Sequence, residues 1–257
     1  MVPEKLWELF QQVVPPAPTR SQGGGRRRVD DRTVLAAIVY VATTGCAWRQ
    51  LPPVFGASWQ TVHRRFTEWS TAGVWAKVYR ILLDELGARG ELDWSRCAID
   101  SVSVRAMKKG ELTGPNPVDR GKKGSKTHLV TEQTCLPLAV AISAANVHDS
   151  LALEPVVRSI PPIRSRRGPR RRWPGKLHGD EGYDYPHLRT FLRGRRITPR
   201  IARRGIESSQ RLGRHRWVVK RTVSWPLTPR RYERRADHFA SFVAIAAALL
   251  CYRRLAK

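Results

Sequence analysis

Apolar residues recur at helical spacing in several segments before residue 90. In the segment 31–45, Asp31 is placed to cap a helix and Gly45 is placed to end it. A later helix is predicted to end at Gly87, where its apolar periodicity stops. Together these segments predict a helical domain over residues 1–90.

One of these helices has two contrasting faces. Residues 59–69 place Trp, Val, Phe and Trp three, four and three positions apart, which puts them on one side of a helix. The other side is polar, and a polar-faced helix after a turn is typical of a helix-turn-helix module. A purely structural helix is the alternative, because many small helical domains share this pattern. The candidate DNA contacts on the polar side are Gln60, Thr61, His63, Arg64 and Arg65.

Beyond residue 90 the pattern is one of short strands and helices. A hairpin series of strands, followed by strands that alternate with helices, predicts a mixed α/β sheet covered by helices over residues 91–257. An exposed basic linker is expected at 159–175, and 107–126 is predicted to be a loop. The predicted strands are 94–105, 127–132, 136–143, 176–179 and 197–201, and the predicted helices are 150–158, 185–192 and 238–254.

The charge of the chain indicates what kind of partner it binds. Its 257 residues contain 47 Lys and Arg against 21 Asp and Glu, a formal net charge of +26. Such an excess opposes compaction unless a polyanion screens it, so double-stranded DNA is the expected partner and an anionic membrane the rival. We find no basic amphipathic anchor helix, and the uncharged stretch Phe239–Tyr252 is too short to span a bilayer. With no secretory signal and scattered cysteines, a cytoplasmic, nucleoid-associated protein with no membrane contact is expected.

Two acidic residues stand where predicted strands end. Asp100 follows the apolar run 97–99, and Asp180 follows the strand 176–179. Carboxylates at strand ends of one sheet can converge, and Mg²⁺ is usually held by one or two carboxylates together with substrate phosphates. Spacing alone leaves the ordinary alternative open, in which these acids cap turns or form salt bridges.

Several blocks that occur in order along the chain add a family resemblance. They resemble bacterial insertion-sequence transposases of the DDE class, in the insertion-sequence-five group, and the likeness extends over nearly the whole chain, from about residue 3 to 255. The blocks are WRQLPP (48–53), SWQTVHRRFTEW (58–69), AIDSVSVRA (98–106), ELTGPNPVDRGKKGSKTHL (111–129), ANVHDS (145–150), GDEGYDY (179–185), RLGRHRWVV (211–219) and RYERRADHF (231–239).

The resemblance implies both a fold and an activity. The fold is a ribonuclease-H-like mixed sheet flanked by helices, preceded by a small helix-turn-helix-like domain. The activity is binding of terminal inverted repeats and Mg²⁺- or Mn²⁺-dependent cleavage and transfer of DNA strands, by a homodimer on paired ends. Asp100 and Asp180 match the first two metal-holding acids, and Asp184 is expected to be structural.

The third acid of the family is replaced in this chain. The motif that ends in Glu in the family reads Arg-Trp-Val-Val-Lys here, so Lys220 occupies the position of the third acid. An ammonium beside a divalent cation opposes metal binding. Two hypotheses therefore stay open. The chain is either an active transposase with a substitute ligand or an inactive relative that only binds DNA. The substitute candidates are Glu181, Glu207 and Glu233.

Arginines outside the helical domain are the remaining candidates for phosphate contact. Contacts with phosphates give DNA affinity that falls with salt, whereas base edges give sequence preference. A solvated arginine face is the alternative for each of them. They are Arg166, Arg167 and Arg171 in the basic linker, and Arg216 near the third-acid motif.

Overall fold

The computed structural model describes residues 2–17, 28–203 and 230–257. Seven α-helices lie in these ranges, and short 3₁₀ turns connect some of them. The helices are α1 (Glu4–Gln11), α2 (Asp31–Thr44), α3 (Trp59–Thr71), α4 (Val74–Arg89), α5 (Ser150–Ser159), α6 (Pro186–Arg193) and α7 (Ala236–Leu255).

The start of α2 differs from the prediction by one residue. Asp30 is the capping residue, because its carboxylate accepts a hydrogen bond from the Thr33 amide at 3.0 Å. Asp31 lies in the first helical turn instead, where its carboxylate forms ion pairs with arginines. The predicted end of the helix is confirmed, since Gly45 adopts the left-handed conformation with φ of 66°.

The predicted end of α4 was wrong. The helix continues to Arg89, and Gly90, with φ of 76°, caps it. Gly87 lies inside the helix, and its lack of a side chain leaves room for the close approach of another backbone segment. A Cβ at Gly87 would overlap the carbonyl oxygen of Arg164 and the side chain of Ile163.

The described strands form one mixed sheet. Its order is β4-β3-β1-β5-β6, with β2 beside β3 and β7 beside β1. Strand β3 is antiparallel to both β4 and β1, whereas β5 and β6 run parallel to β1. This arrangement, with helices packed on the sheet, confirms the ribonuclease-H-like fold class. The strands are β1 (Cys97–Ala106), β2 (Gly114–Pro115), β3 (Lys123–Glu132), β4 (Pro137–Ala144), β5 (Lys176–Gly179), β6 (Thr198–Ile201) and β7 (Arg230–Arg231).

The N-terminal helices and the sheet share one hydrophobic core. Leu82 of α4, Val130 of β3 and Leu153 of α5 are all fully buried and belong to the same cluster of apolar side chains. Helix α7 packs against α4 and β4, so it joins the helical region to the sheet. A division into two domains at residue 90 therefore remains a proposal, because one hydrophobic core contains residues from both sides of that position.

Helix α7 is longer than the uncharged stretch in the sequence. It spans 20 residues and is apolar enough to cross a membrane by length and composition, but most of it is buried inside the protein. Cys251 and Val243 are among its buried side chains. The helix predicted at 238–254 is thus a core helix of the protein.

Candidate active site

Asp100 lies in the middle of β1, not at its end as predicted. The strand pairs with β3 from Cys97 through Arg105, and Asp100 stands opposite Leu129. The apolar run stops at Ile99, but the hydrogen-bonded ladder continues, so polar residues extend the strand. The Asp100 side chain is therefore presented from a rigid, paired strand rather than from a turn.

The register between β1 and β5 brings the two acids together. Ala98 of β1 pairs with His178 of β5 in parallel. Continuing that register by two residues places Asp100 opposite Asp180, just beyond the end of β5. Because side chains alternate along strands, a step of two keeps both carboxylates on the same side of the sheet as Ala98 and His178.

The backbone after β5 holds Asp180 in place. Asp180 caps the short turn Glu181–Tyr183, and its carboxylate accepts a hydrogen bond from the Gly182 amide at 3.0 Å. Asp184 instead forms an ion pair with Arg189 at 2.8 Å, which fits the structural role expected for it.

The acid pair fits a divalent cation by its donor chemistry. Mg²⁺ is a hard ion that takes oxygen ligands, and one or two carboxylates with substrate phosphates are its usual protein site. Asp100 on β1 and Asp180 just beyond the end of β5 supply two half-buried carboxylates. Among the described residues, no group of three or more His, Cys, Asp or Glu side chains that could hold a metal ion occurs.

The candidates for a third ligand are spread over the chain. Glu181 is exposed beside Asp180. Glu233 follows β7, which pairs with β1 at Arg105 and Ala106, about 17 Å along the strand from Asp100. Burial raises the pKa of the Glu233 carboxyl, which accepts a hydrogen bond from the Tyr232 amide. Glu207, Lys220 and Arg216 lie outside the described residues.

A polar network behind Asp100 was not predicted from the sequence. Asp149, at the start of α5, accepts hydrogen bonds from the Ser101 hydroxyl at 2.9 Å and the Lys126 ammonium at 3.0 Å. The ring of His128 lies 4.0 Å from the same carboxylate oxygen, and its other nitrogen contacts Ser143 at 2.8 Å. The network fixes the strand next to Asp100. Apart from Ser143, its residues fall in three of the family blocks, AIDSVSVRA, ELTGPNPVDRGKKGSKTHL and ANVHDS, but nothing in these blocks shows that they meet.

The polar face of α3 divides into accessible and inaccessible candidates. Gln60 and Arg64 are exposed, whereas Thr61 and His63 are half-buried. Arg65 was predicted to contact DNA, but it is only 2% exposed and forms ion pairs with Asp31 at 2.7 Å and Glu68 at 3.2 Å. Helix α2 covers this position, so Arg65 stabilises the contact between α2 and α3 and is not presented to a phosphate.

The basic linker is exposed in its side chains but anchored in its backbone. Arg166, Arg167 and Arg171 are exposed. Ile163 is fully buried and pairs with Arg171 in an isolated bridge. Arg170 reaches Asp84 of α4 at 2.8 Å. The predicted exposed linker is therefore anchored on α4 while its arginines face solvent. We call residues 160–175 the strap.

Comparison with known families gives two matches that together cover most of the chain. Residues 2–79 match a family model described as "Putative transposase of IS4/5 family". Residues 93–251 match the model of the "Transposase DDE domain". The second match contains both Asp100 and Asp180.

Individual relatives agree with these matches. A protein of Burkholderia cepacia named "Putative transposase for insertion sequence element IS402" is 44% identical over 147 residues, 56% of this chain and 70% of the relative. An uncharacterised 16.2 kDa protein of the same insertion element is 39% identical over 119 residues, 46% of this chain and 81% of the relative. Among solved structures, the Mos1 transposase paired-end complex with left transposon end aligns over 98% of this chain and 86% of its own, with a TM-score of 0.28 and 12% identity.

Proposed function

The chain belongs to the DDE-type transposases of bacterial insertion sequences, and from that membership we propose that it binds terminal inverted repeats and catalyses metal-dependent cleavage and transfer of DNA strands. The observation that carries this proposal is the parallel pairing of Ala98 with His178, because the same register continued by two residues sets Asp100 opposite Asp180. The cofactor we propose is Mg²⁺, with Mn²⁺ as its substitute. The proposed site of action is chromosomal DNA in the cytoplasm, where a homodimer pairs two element ends.

The roles of the residues follow from their positions. Asp100 is fixed by the paired strand β1, and Asp180 by the Gly182 amide, so both carboxylates are oriented before DNA arrives. A divalent cation held between them would polarise the scissile phosphodiester and stabilise the charge that develops on its oxygens. Exposed arginines, among them Arg64 and Arg166, would hold the flanking backbone through charge-assisted hydrogen bonds.

A cleavage assay tests the proposal. The protein is incubated with Mg²⁺ and a labelled duplex that carries an end of its own insertion element. We expect nicking at the element boundary, and a loss of at least about a hundredfold in Asp100→Asn and in Asp180→Asn, because each removes a charge that must hold the cation. Glu8→Gln is the control, an exposed acid on α1 that is not among the candidate ligands, and it should nick normally.

A variant at Lys220 distinguishes the two hypotheses, an active transposase and an inactive relative that only binds DNA. If the unmodified chain binds the duplex without nicking it and Lys220→Glu restores nicking, the chain is a DNA-binding relative that lost one ligand. If nicking survives in both Asp100→Asn and Asp180→Asn, the proposed catalytic pair is refuted.

A further inference from the structure

The β4–α5 turn, residues 145–149, contacts both segments that carry the candidate acids. The Asp149 carboxylate accepts a hydrogen bond from the hydroxyl of Ser101, the residue that follows the first acid on β1. The His148 ring packs edge-on against the ring of Tyr185, just beyond the turn of the second acid, with centroids 6.0 Å apart. Two adjacent residues thus connect β1 with the segment that follows β5.

Ser101 joins the β4–α5 turn to the carboxylate of Asp100. The Ser101 amide donates a hydrogen bond to Asp100 Oδ1 at 2.9 Å, and the Ser101 hydroxyl donates to Asp149 Oδ1, also at 2.9 Å. Both bonds leave one residue of a strand that is paired with β3. The bond to Asp149 therefore restricts movement of the residue whose amide orients the first acid.

The Asp149 carboxylate is committed to the sheet rather than to its own helix. An aspartate at the start of a helix usually accepts hydrogen bonds from the first free amides. Among the described residues, Asp149 makes no such capping bond to α5. The Lys126 ammonium of β3 instead donates to Asp149 at 3.0 Å and to the Val147 carbonyl at 2.9 Å. The sheet that carries the first acid thus holds the turn at two points.

The other side of the turn supports the segment of the second acid. His148 Nδ1 contacts the Ser150 hydroxyl at 2.7 Å, which fixes the orientation of the ring that packs on Tyr185. Helix α5, which begins at this point, also packs against the short turn Glu181–Tyr183. That short turn is capped by Asp180 itself, so α5 and His148 both support the backbone around the second acid.

We propose that the β4–α5 turn holds the two acid-bearing segments at a fixed separation for the metal ion. Asp149 and Ser101 are positioning residues for Asp100, and His148 is one for Asp180. The inference rests on the proposed function and deepens it. Because neighbouring side chains on a strand point to opposite faces, Ser101 and Asp149 lie on the face away from the Asp100 carboxylate and act through the backbone, not as ligands.

Ser101→Ala is the most informative variant, because it breaks the link and leaves every charge in place. Mn²⁺ bound to the protein–DNA complex is titrated by electron paramagnetic resonance, so the readout is ion affinity and needs no cleavage. We expect Ser101→Ala and Asp149→Ala each to weaken Mn²⁺ binding about tenfold, as the loss of groups behind metal ligands typically does, without a change in duplex affinity. The double variant should be no weaker than Asp149→Ala alone, because both substitutions break the same path.

Two further variants separate positioning from a purely structural role. Ser101→Thr keeps the hydroxyl, and a β-branched side chain suits a strand, so its Mn²⁺ affinity should equal that of the unmodified chain. Ser103→Ala, two residues further on the same face of β1, leaves the contact between Ser101 and Asp149 in place and should bind Mn²⁺ normally. A role limited to stability would lower the melting temperature of Ser101→Ala and leave its ion affinity unchanged.

A matched pair of histidines tests the other side of the turn. His148→Ala removes the ring that joins the turn to Tyr185 and should weaken Mn²⁺ binding about tenfold. His187→Ala removes a ring that also contacts Tyr185, with centroids 5.7 Å apart, but this ring lies on α6 outside the turn. We expect His187→Ala to bind Mn²⁺ as the unmodified chain does.

The outcomes separate this inference from the proposed function. Weaker Mn²⁺ binding in Ser101→Ala and His148→Ala, with normal binding in their controls, supports the positioning role. Unchanged affinity in either of these variants, or an equal loss in Ser103→Ala or His187→Ala, overturns it and leaves the catalytic pair intact. If the unmodified protein–DNA complex binds no Mn²⁺, the proposed function is overturned and the inference falls with it.

Discussion

Single residues around β1 are held by neighbours that lie far away in the sequence. Asp149 ties Ser101 and Lys126 together, and His128 lies beside the same carboxylate. Ser101 follows Asp100 directly, so a disturbance of this network reaches Asp100 through one peptide unit. The state of charge of His128 matters because protonation would place a second cation beside Lys126.

The burial of His128 predicts a pH dependence of stability. Burial lowers the pKa of His128 to about 4, with Lys126 acting in the same direction and Asp149 opposing it. The unfolded state therefore binds the proton first, and stability falls as the pH drops from about 6.5 to about 4. We expect about 2 kcal/mol to be lost from this group between pH 7 and pH 5, measured by urea unfolding.

A pair of variants isolates that contribution. His128→Gln should show a smaller loss of unfolding free energy between the two pH values, because no imidazole has to stay neutral in the folded state. His187→Gln removes an exposed histidine and should behave as the unmodified chain. The same pH dependence in all three proteins would show that His128 is not the group responsible.

At the scale of elements, the sequence predicted which segments form helices and strands better than it predicted which segments pack against each other. The strand Lys176–Gly179 and the cap at Gly45 appear as predicted, because local periodicity and glycine conformation determine them. Arg65 was wrongly predicted to contact DNA, and the anchoring of the exposed strap was not predicted, since the ion pairs and the buried Ile163 that hold them depend on packing between distant segments.

The candidate site was predictable to a similar extent. The ends of apolar runs and a family motif predicted Asp100 and Asp180, and the sheet register accounts for their position opposite each other. The contact between His63 and His238 could not be foreseen, because no pattern links two helices that far apart in the chain. The hydrogen-bond network around Asp149 could not be predicted from the sequence for the same reason.

The close approach of the strap to α4 gives a prediction for Gly87. Alanine is the better helix former, yet its Cβ would overlap the Arg164 carbonyl and the Ile163 side chain, so Gly87→Ala should cost about 2 kcal/mol. We expect a melting temperature about 5 °C lower. Gly194→Ala is the control, at a helix end with φ of −59° and no atom nearer than 3.5 Å, and should melt no lower. Equal melting of both variants would contradict the packing of the strap.

At the scale of the whole molecule, the charge of +26 is the dominant feature. The strap displays part of it at Arg166 and Arg167, whereas other arginines, such as Arg170, are neutralised by an acid. Only cations that are free to meet phosphates release counterions when DNA binds. The structure therefore divides the arginines into those that should set the salt dependence of binding and those that should not.

Salt titration of DNA binding tests that division. The double variant Arg166→Ala and Arg167→Ala should lower the slope of log affinity against log salt by about two, since each lost phosphate contact removes about 0.9. Arg170→Ala, whose guanidinium pairs with Asp84, should leave the slope unchanged. Equal slopes for the double variant and the unmodified chain would contradict phosphate contact by the strap.

The most direct test of the account is whether Asp100 and Asp180 act as one metal-binding pair. Mn²⁺ bound to the protein–DNA complex can be counted by electron paramagnetic resonance in the unmodified chain, in Asp100→Asn, in Asp180→Asn and in the double variant. We predict that either single substitution removes the same bound ion and that the double variant loses nothing more. Independent losses that add in the double variant, or retention of the ion in both single variants, would contradict the pairing that the β1–β5 register implies.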